Sequence, residues 1–410
     1  MKQIATRLAA KNHDVTVATT KLDHRKSQNL DKVKIKSFDV SGNWTNGLNG
    51  TELNDYQNFV INGKFDVIFI YAAQQWTFDA LIEKFDEISA KIVFVPCGFS
   101  GLYEPSYSEY FEKLPEVLKK LDALIFHANE YRDFEFARMH DIKNCHLIPN
   151  GADEHEFGVI PKPQFRKSND ISDETLLLLT VGTLNGAKGH LEVAQAFANL
   201  EFEQSVTLIL NGNKMPTTKN SSKLKKLKNK LRNISLKSLT HLIKLTVIRL
   251  LIALRLRETY FSKLEDVIER VNKGKHGDNK KIISCDLERE DLLNCFFEAD
   301  LFVFASHIEY SPLVLYEACA AGLPFLSAPV GNAEEIARWT NGGLIYSAKK
   351  DFKGFTQTDV MVLAREINSL LKNKTKLEQL GSNARQSWER NYSWAKLFEK
   401  YEEVFLQTLD

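Results

Sequence analysis

Twice along its length the chain alternates short apolar runs with segments of helical period. In the first half, residues 15–19, 66–71, 92–96, 123–126 and 146–148 read as buried strands, with helix-like stretches over 76–85 and 109–121. In the second half the strands fall at 176–181, 206–210, 281–284, 301–305, 324–327 and 343–346. Strands alternating with helices predict parallel sheets covered by helices on both faces. The fold expected is α/β, with two Rossmann-like domains facing a cleft. Ligands of such sheets bind outside the carboxyl ends of the strands.

The expected boundaries follow from turn chemistry. Residues 1–157 form an N-terminal domain closed by Pro149-Asn150-Gly151. The polar, proline-bearing stretch 158–174 is a linker, and 175–390 a second domain interrupted by a basic helical insert over 214–280. Residues 391–410 form a helix crossing back to the first domain. The tail from Asp359 is helical, with breaks near Gly381 and at Tyr392-Ser393. A doubly wound unit usually opens with a strand and a glycine-rich turn. This chain opens directly in a helix, so the first strand is missing from the pattern, and a strand with its turn is expected upstream of Met1.

Composition removes several classes. The apolar fraction is 43% and the charged fraction 26%, enough apolar material for large cores. The five cysteines (Cys97, Cys145, Cys285, Cys295, Cys319) contain no CxxC pair, which argues against a disulfide framework and a structural zinc site. The N-terminal apolar run is too short for a secretory signal. A cytoplasmic protein is expected.

The net charge of +1 hides a segregation. Residues 214–257 hold thirteen Lys and Arg and no acid, so 41 basic and 53 acidic residues remain elsewhere. Leu224, Leu227, Leu231 and Ile234 recur there at helical spacing among lysines. Residues 242–256 are apolar but short of the roughly 20 residues that span a bilayer. Two readings stay open: basic amphipathic helices on an anionic membrane surface, at the inner face of the cytoplasmic membrane, or a hairpin on the protein's own acidic body. Nucleic acid is not expected, because the insert lacks aromatics for stacking.

Two segments carry the chemistry. In "SHIEYSPLVLYEACAAGLP" (306–324), a strand is followed by a loop with Glu309, then by a helix from about Pro312 to Ala321. Ser311 is the expected cap, Pro312 the first helical residue, and Gly322 and Pro324 the stop. The helix N-terminus offers free N–H groups to an anion. Glu309 and Glu317 can each accept hydroxyl hydrogen bonds. Their bland readings are a turn acid and a solvated helix residue, but Leu313, Val314, Leu315 and Ala318 should bury that helix on both sides. The second segment, "VGTLNGAKGH" (181–190), is strand, glycine turn and helix. Its backbone can approach phosphate, and Lys188 adds a charge.

These segments resemble family 4 retaining glycosyltransferases of the GT-B fold. "SHIEYSPLVLYEACAAGLPFLSAPVGNAEEI" resembles their donor-binding signature. "VGTLNGAKGHLEVAQAF" resembles their phosphate segment, "LIPNGADEHEF" the entry to their linker, and "NYSWAKLFEKYEEVF" their returning helix. The resemblance covers most of the chain outside 214–280. It implies transfer from a nucleotide-diphosphate sugar to a glycan or lipid-linked acceptor, in surface polysaccharide or glycolipid synthesis. It implies no metal and no cofactor beyond the donor. By this resemblance Lys188 neutralises the diphosphate beside Gly182, Glu309 holds the transferred sugar, and Glu317 holds the ribose. Backbone near Tyr310, Ser311 and Leu313 contacts sugar and phosphate. The chain also departs from the family. Thr183 stands where the family has an arginine. Pro96-Cys97-Gly98-Phe99-Ser100-Gly101 stands where many members carry a histidine. Cys97 and Gly98 either line a substrate pocket or make a structural turn, and His127 either touches substrate or is a structural histidine. A protein of this fold that binds sugar nucleotides, or serves as a scaffold, without transferring sugar is the alternative reading.

Overall fold

The structure is a computed structural model. It describes residues 1–22, 25, 27–213, 260–274, 279–351 and 354–410. The basic segment 214–257 lies outside the described residues.

In the first half, β1 (Thr16–Thr20), β2 (Asn29–Leu30) and β3 (Val33–Phe38) form one sheet in the order β1-β3-β2. A hairpin of β4 (Ser41–Asn43) and β5 (Gly47–Asn49) follows. A second, parallel sheet runs β6 (Val67–Tyr71), β7 (Lys91–Val95), β8 (Ala123–Phe126), β9 (Cys145–Leu147) in that order. Alternation assigns each side chain to a face. Ile92 and Phe94 join one core with Phe78, Leu114, Leu118 and Phe126. Val93, Val95 and Ile125 join another with Ile4 and with Leu397, Tyr401, Val404 and Phe405 of the helix Trp394–Gln407.

No ladder joins β1 to β6 among the described residues. Between them lies a groove of about 370 Å³, lined by Val15, Val17, Val67 and Phe69 and roofed by Ile4, Leu8, Phe405 and Leu409. The first half is therefore split at the place where the sequence pattern lacks a strand.

The second half is one six-stranded parallel sheet of β10 (Leu176–Val181), β11 (Val206–Asn211), β12 (Lys280–Cys285), β13 (Leu301–Phe304), β14 (Phe325–Ser327) and β15 (Gly343–Ile345). Its order is β12-β11-β10-β13-β14-β15, reversing direction from β10 to β13. That reversal is a topological switch point, where open α/β sheets place ligands. The central strands are buried but for the two end residues of β10, which explains their continuous apolar runs.

Several expectations need correction. Residues 76–85 are not one helix but a turn of helix, Trp76–Asp79, and a separate 3₁₀ turn, Phe85–Glu87. The carbonyls of Thr77 and Ala80 accept instead from Tyr56 Oη and Gln57 Nε2 of the helix Leu53–Ile61, which sequence reading left unassigned. Gly381 does not break the tail. It lies inside the helix Lys374–Ser387, and a Cβ there would sit 2.4 Å from the Gly322 carbonyl oxygen, so glycine serves a close crossing. Residues 158–174 are not wholly a linker. Phe165 is buried, and the Arg166 guanidinium binds the Thr175 and Glu298 carbonyls and the Asp300 carboxylate. The expected insert 214–280 includes a helix, Tyr260–Lys273, that buries Leu264 and Val267 in the second core.

Candidate active site

The glycine turn after β10 is shaped by contact. Gly186 and Gly189 have φ of +87° and +73°, and Gly189 starts the helix His190–Ala198. The Leu184 N–H donates to Asn213 Oδ1, and the Ala187 carbonyl accepts from the His307 N–H. The turn is thus tied to the loop after β13. There Lys188 Nζ meets Glu309 Oε1 at 2.5 Å, and Ser306 Oγ donates to the same oxygen at 2.8 Å. Both side chains are largely covered, at 27% and 15% exposure. The resemblance assigned Lys188 and Glu309 to different parts of a donor. The structure pairs them with each other.

The helix predicted from Pro312 spans Leu313–Ala321, and Gly322 stops it at φ +71°. Pro312, not Ser311, is its cap residue, and no side chain bonds the cap. The free N–H groups of the first turn are left without a capping side chain. Leu313 is 50% exposed, against the expectation that it helps bury the helix. Glu317 lies in the second turn, where Arg289 Nη2 reaches its Oε1 at 2.6 Å. Burial pushes the Glu317 carboxyl up, a rise that the Arg289 guanidinium offsets only in part. Gly182 lies against the Lys188 side chain, and Thr183, which stands where the resemblance would place an arginine, is exposed.

The same loop forms the seam between the halves. The Tyr310 hydroxyl oxygen accepts from the His127 N–H at 3.0 Å, and Tyr131 Oη donates to the Glu309 carbonyl at 2.9 Å. Asn150 Nδ2 donates to the Ser311 carbonyl. Glu335, at the start of the helix Ala333–Thr340, accepts from the Asn129 and Glu130 N–H groups.

Facing this loop is the turn at Cys97 and Gly98. Cys97, Gly98 and Phe99 all have positive φ, of 60°, 90° and 44°. The buried Asp133 carboxylate anchors the turn through the Gly98 N–H at 2.8 Å, and burial raises Asp133 to about 6. A Cβ on Gly98 would come within 2.8 Å of the Tyr310 ring. Left-handed non-glycine residues cost of order 1–3 kcal/mol each and cluster at functional sites. The turn therefore belongs to the seam. His127 is the structural histidine: it is 1% exposed, with Nδ1 on the Ile148 carbonyl at 2.8 Å and Nε2 on Tyr71 Oη at 2.9 Å. Burial lowers it to about 4.

Sequence reading missed Tyr131, Asp133, Arg289 and Glu335. Each acts on a residue distant in sequence; Glu335 alone stands in a quoted motif, at the end of the 306–336 signature, where it was given no role. Among the described residues, Asp153, Glu154 and His155 bring three ligand-type atoms within 4.8 Å, but Arg7 pairs with both carboxylates.

Residues 273–387 match the family model "Glycosyl transferases group 1". The spore coat protein SA of Bacillus subtilis is 34% identical over 119 residues, covering 28% of this chain and 29% of that protein. The chain thus matches less than a third of that relative's length. The fold extends further. Sucrose-phosphate synthase from Thermosynechococcus elongatus matches at TM-score 0.67 and 16% identity, covering 99% of this chain and 92% of that one. A glycosyltransferase from Rickettsia africae matches at TM-score 0.68 and 14% identity, over 100% and 94%. HepE of Anabaena, solved in complex with UDP, matches at TM-score 0.63 and 12% identity, over 96% and 100%. The fold is GT-B. Within this GT-B fold, the stretch matched by the family model contains Glu309 and Glu317, while the glycine turn with Lys188 lies outside it.

Proposed function

We propose that the protein is a retaining, metal-independent glycosyltransferase. It takes a hexose from a nucleotide-diphosphate sugar and passes it to a glycan or lipid-linked acceptor, in surface polysaccharide or glycolipid synthesis. One observation carries the reading: Lys188 and Glu309 meet beside the uncapped start of the helix holding Glu317, at the carboxyl ends of β10 and β13. Its support is the glycosyltransferase family match over the Glu309–Glu317 stretch and the UDP complex of HepE.

The chemistry follows from charge. The leaving group is a nucleoside diphosphate, so positive charge is needed where the phosphate oxygens gather charge. Lys188 and the N–H groups at the helix start supply it. Lys188 is held by Glu309. An arriving diphosphate competes for Lys188 and releases Glu309 to the sugar hydroxyls. Glu317 takes the ribose. Attack from the face the leaving group departs, with a phosphate oxygen accepting the acceptor's proton, retains configuration without a nucleophilic carboxylate.

Thermal-shift measurement with UDP-, GDP- and ADP-sugars tests the reading. One series should raise Tm, and Glu317→Gln should weaken that donor by about tenfold or more, since a charge-assisted hydrogen bond is worth about 1.5–3 kcal/mol. No shift with any donor would refute it. Binding without turnover would favour the alternative of a sugar-nucleotide binding scaffold, a reading that Thr183, standing where the resemblance would place an arginine, supports.

No helix among the described residues is long and apolar enough to cross a membrane. The proposed route to a lipid-linked acceptor is peripheral, on the inner face of the cytoplasmic membrane, through the basic segment 214–257. Co-sedimentation with anionic vesicles should fall with added salt and disappear when 214–257 is deleted. Equal recovery with neutral vesicles would rule this out.

A further inference from the structure

We propose that Arg289 is a positioning residue of the nucleotide site: it clamps Glu317 to Glu156 and holds the Glu317 carboxylate charged and aimed for the ribose hydroxyls of a nucleoside diphosphate. This rests on the reading of Glu317 as the ribose ligand.

Arg289 opens the helix Arg289–Glu298, which follows β12. Its guanidinium joins three elements. Nη2 lies 2.6 Å from Glu156 Oε2 and 2.6 Å from Glu317 Oε1, while Nε lies 3.1 Å from Glu156 Oε1. Glu156 sits in the short helix Glu154–Phe157, and the guanidinium lies 5.8 Å from the Phe157 ring centroid. The fork is bidentate on Glu156, which fixes its plane, and single on Glu317. It takes Oε1 of Glu317 and leaves Oε2 to a ligand hydroxyl.

The charge arrangement makes the clamp necessary. Glu317 is mostly covered, and a buried carboxylate favours its neutral form. Glu156 pushes in the same direction as burial, and Arg289 opposes both. Among the described residues, these two are the charged groups acting on Glu317. Without Arg289, two carboxylates would face each other across a half-buried gap. Glu317 would then hold its proton at higher pH and accept one hydroxyl hydrogen bond where two are needed. A carboxyl raised further is ionised only as pH rises, so binding by the clamp-free protein should strengthen with pH. Lysine supplies the charge but not the fork.

The test is calorimetric titration with UDP, GDP and ADP from pH 5.5 to 8.5, on the parent, Arg289→Met, Arg289→Lys, Glu156→Gln and Glu317→Gln, each checked for an unchanged circular dichroism spectrum. Arg289→Met should bind the preferred diphosphate about tenfold more weakly than the parent at pH 6.5, with the gap closing toward pH 8.5. Arg289→Lys should recover most of the loss. Glu156→Gln removes a repelling charge and should shift the profile the opposite way, toward lower pH. It keeps the proposal testable if Arg289→Met does not fold. A loss that is equal at every pH, or a Glu156→Gln profile matching the parent's, overturns the role of Arg289. If no diphosphate binds the parent, or Glu317→Gln binds like the parent, the nucleotide reading itself fails, and Arg289 has no ribose ligand to position.

Discussion

Lys188→Ala is expected to lower kcat/KM for sugar transfer by roughly 100- to 1,000-fold, the cost of removing one pre-aligned group from a developing anion. The effect should fall on kcat more than on donor affinity, because the phosphate gains charge only as the glycosidic bond breaks. Stability should change little. Glu309 loses its ion pair but keeps the Ser306 hydroxyl on the same oxygen, and its carboxylate retains 15% exposure. Lys188→Arg should restore only part of the rate, since a planar guanidinium does not reproduce the compact ammonium that meets Glu309 Oε1. Initial rates with the donor found by thermal shift, beside a melting curve for each variant, check this. Parent-like kcat in Lys188→Ala would remove Lys188 from the chemistry.

The second large effect is on folding. Gly189→Val should destabilise the second half by about 4 kcal/mol or more, at the extreme of single substitutions. Two costs combine. Gly189 sits at φ +73°, where a β-branched residue is strongly disfavoured. A Cβ would also lie 2.0 Å from the Ala305 carbonyl oxygen and 2.4 Å from its carbon. Ala305 is buried at the end of β13, so neither backbone can yield without opening the turn that carries Lys188. Thermal unfolding should show an early transition in the variant, and a parent-like melting curve would show that the turn is looser than described.

The second sheet was legible in sequence because its central strands are covered on both faces and read as unbroken apolar runs between glycine turns. Leu176–Val181 has the predicted bounds, and the strands beginning at Val206 and Leu301 differ from prediction by one residue at the far end. Local rules also placed the stop of the Glu317 helix at Gly322. They failed where a partner distant in sequence decides. Gly381 looks like a breaker until the Gly322 turn is packed against it. Glu309 and Glu317 were found from spacing, but their partners Lys188 and Arg289 come from other strand ends 121 and 28 residues away. The Tyr310 hydroxyl lies on the backbone of the opposite half, a contact that no local pattern announces.

The groove between β1 and β6 bears on how the protein behaves in a tube. Two strand edges face it with no ladder between them among the described residues. Unpaired edges are templates for another chain's backbone. Concentrated samples would therefore be prone to self-association through these two edges, and shelf life would depend on a few residues of main chain.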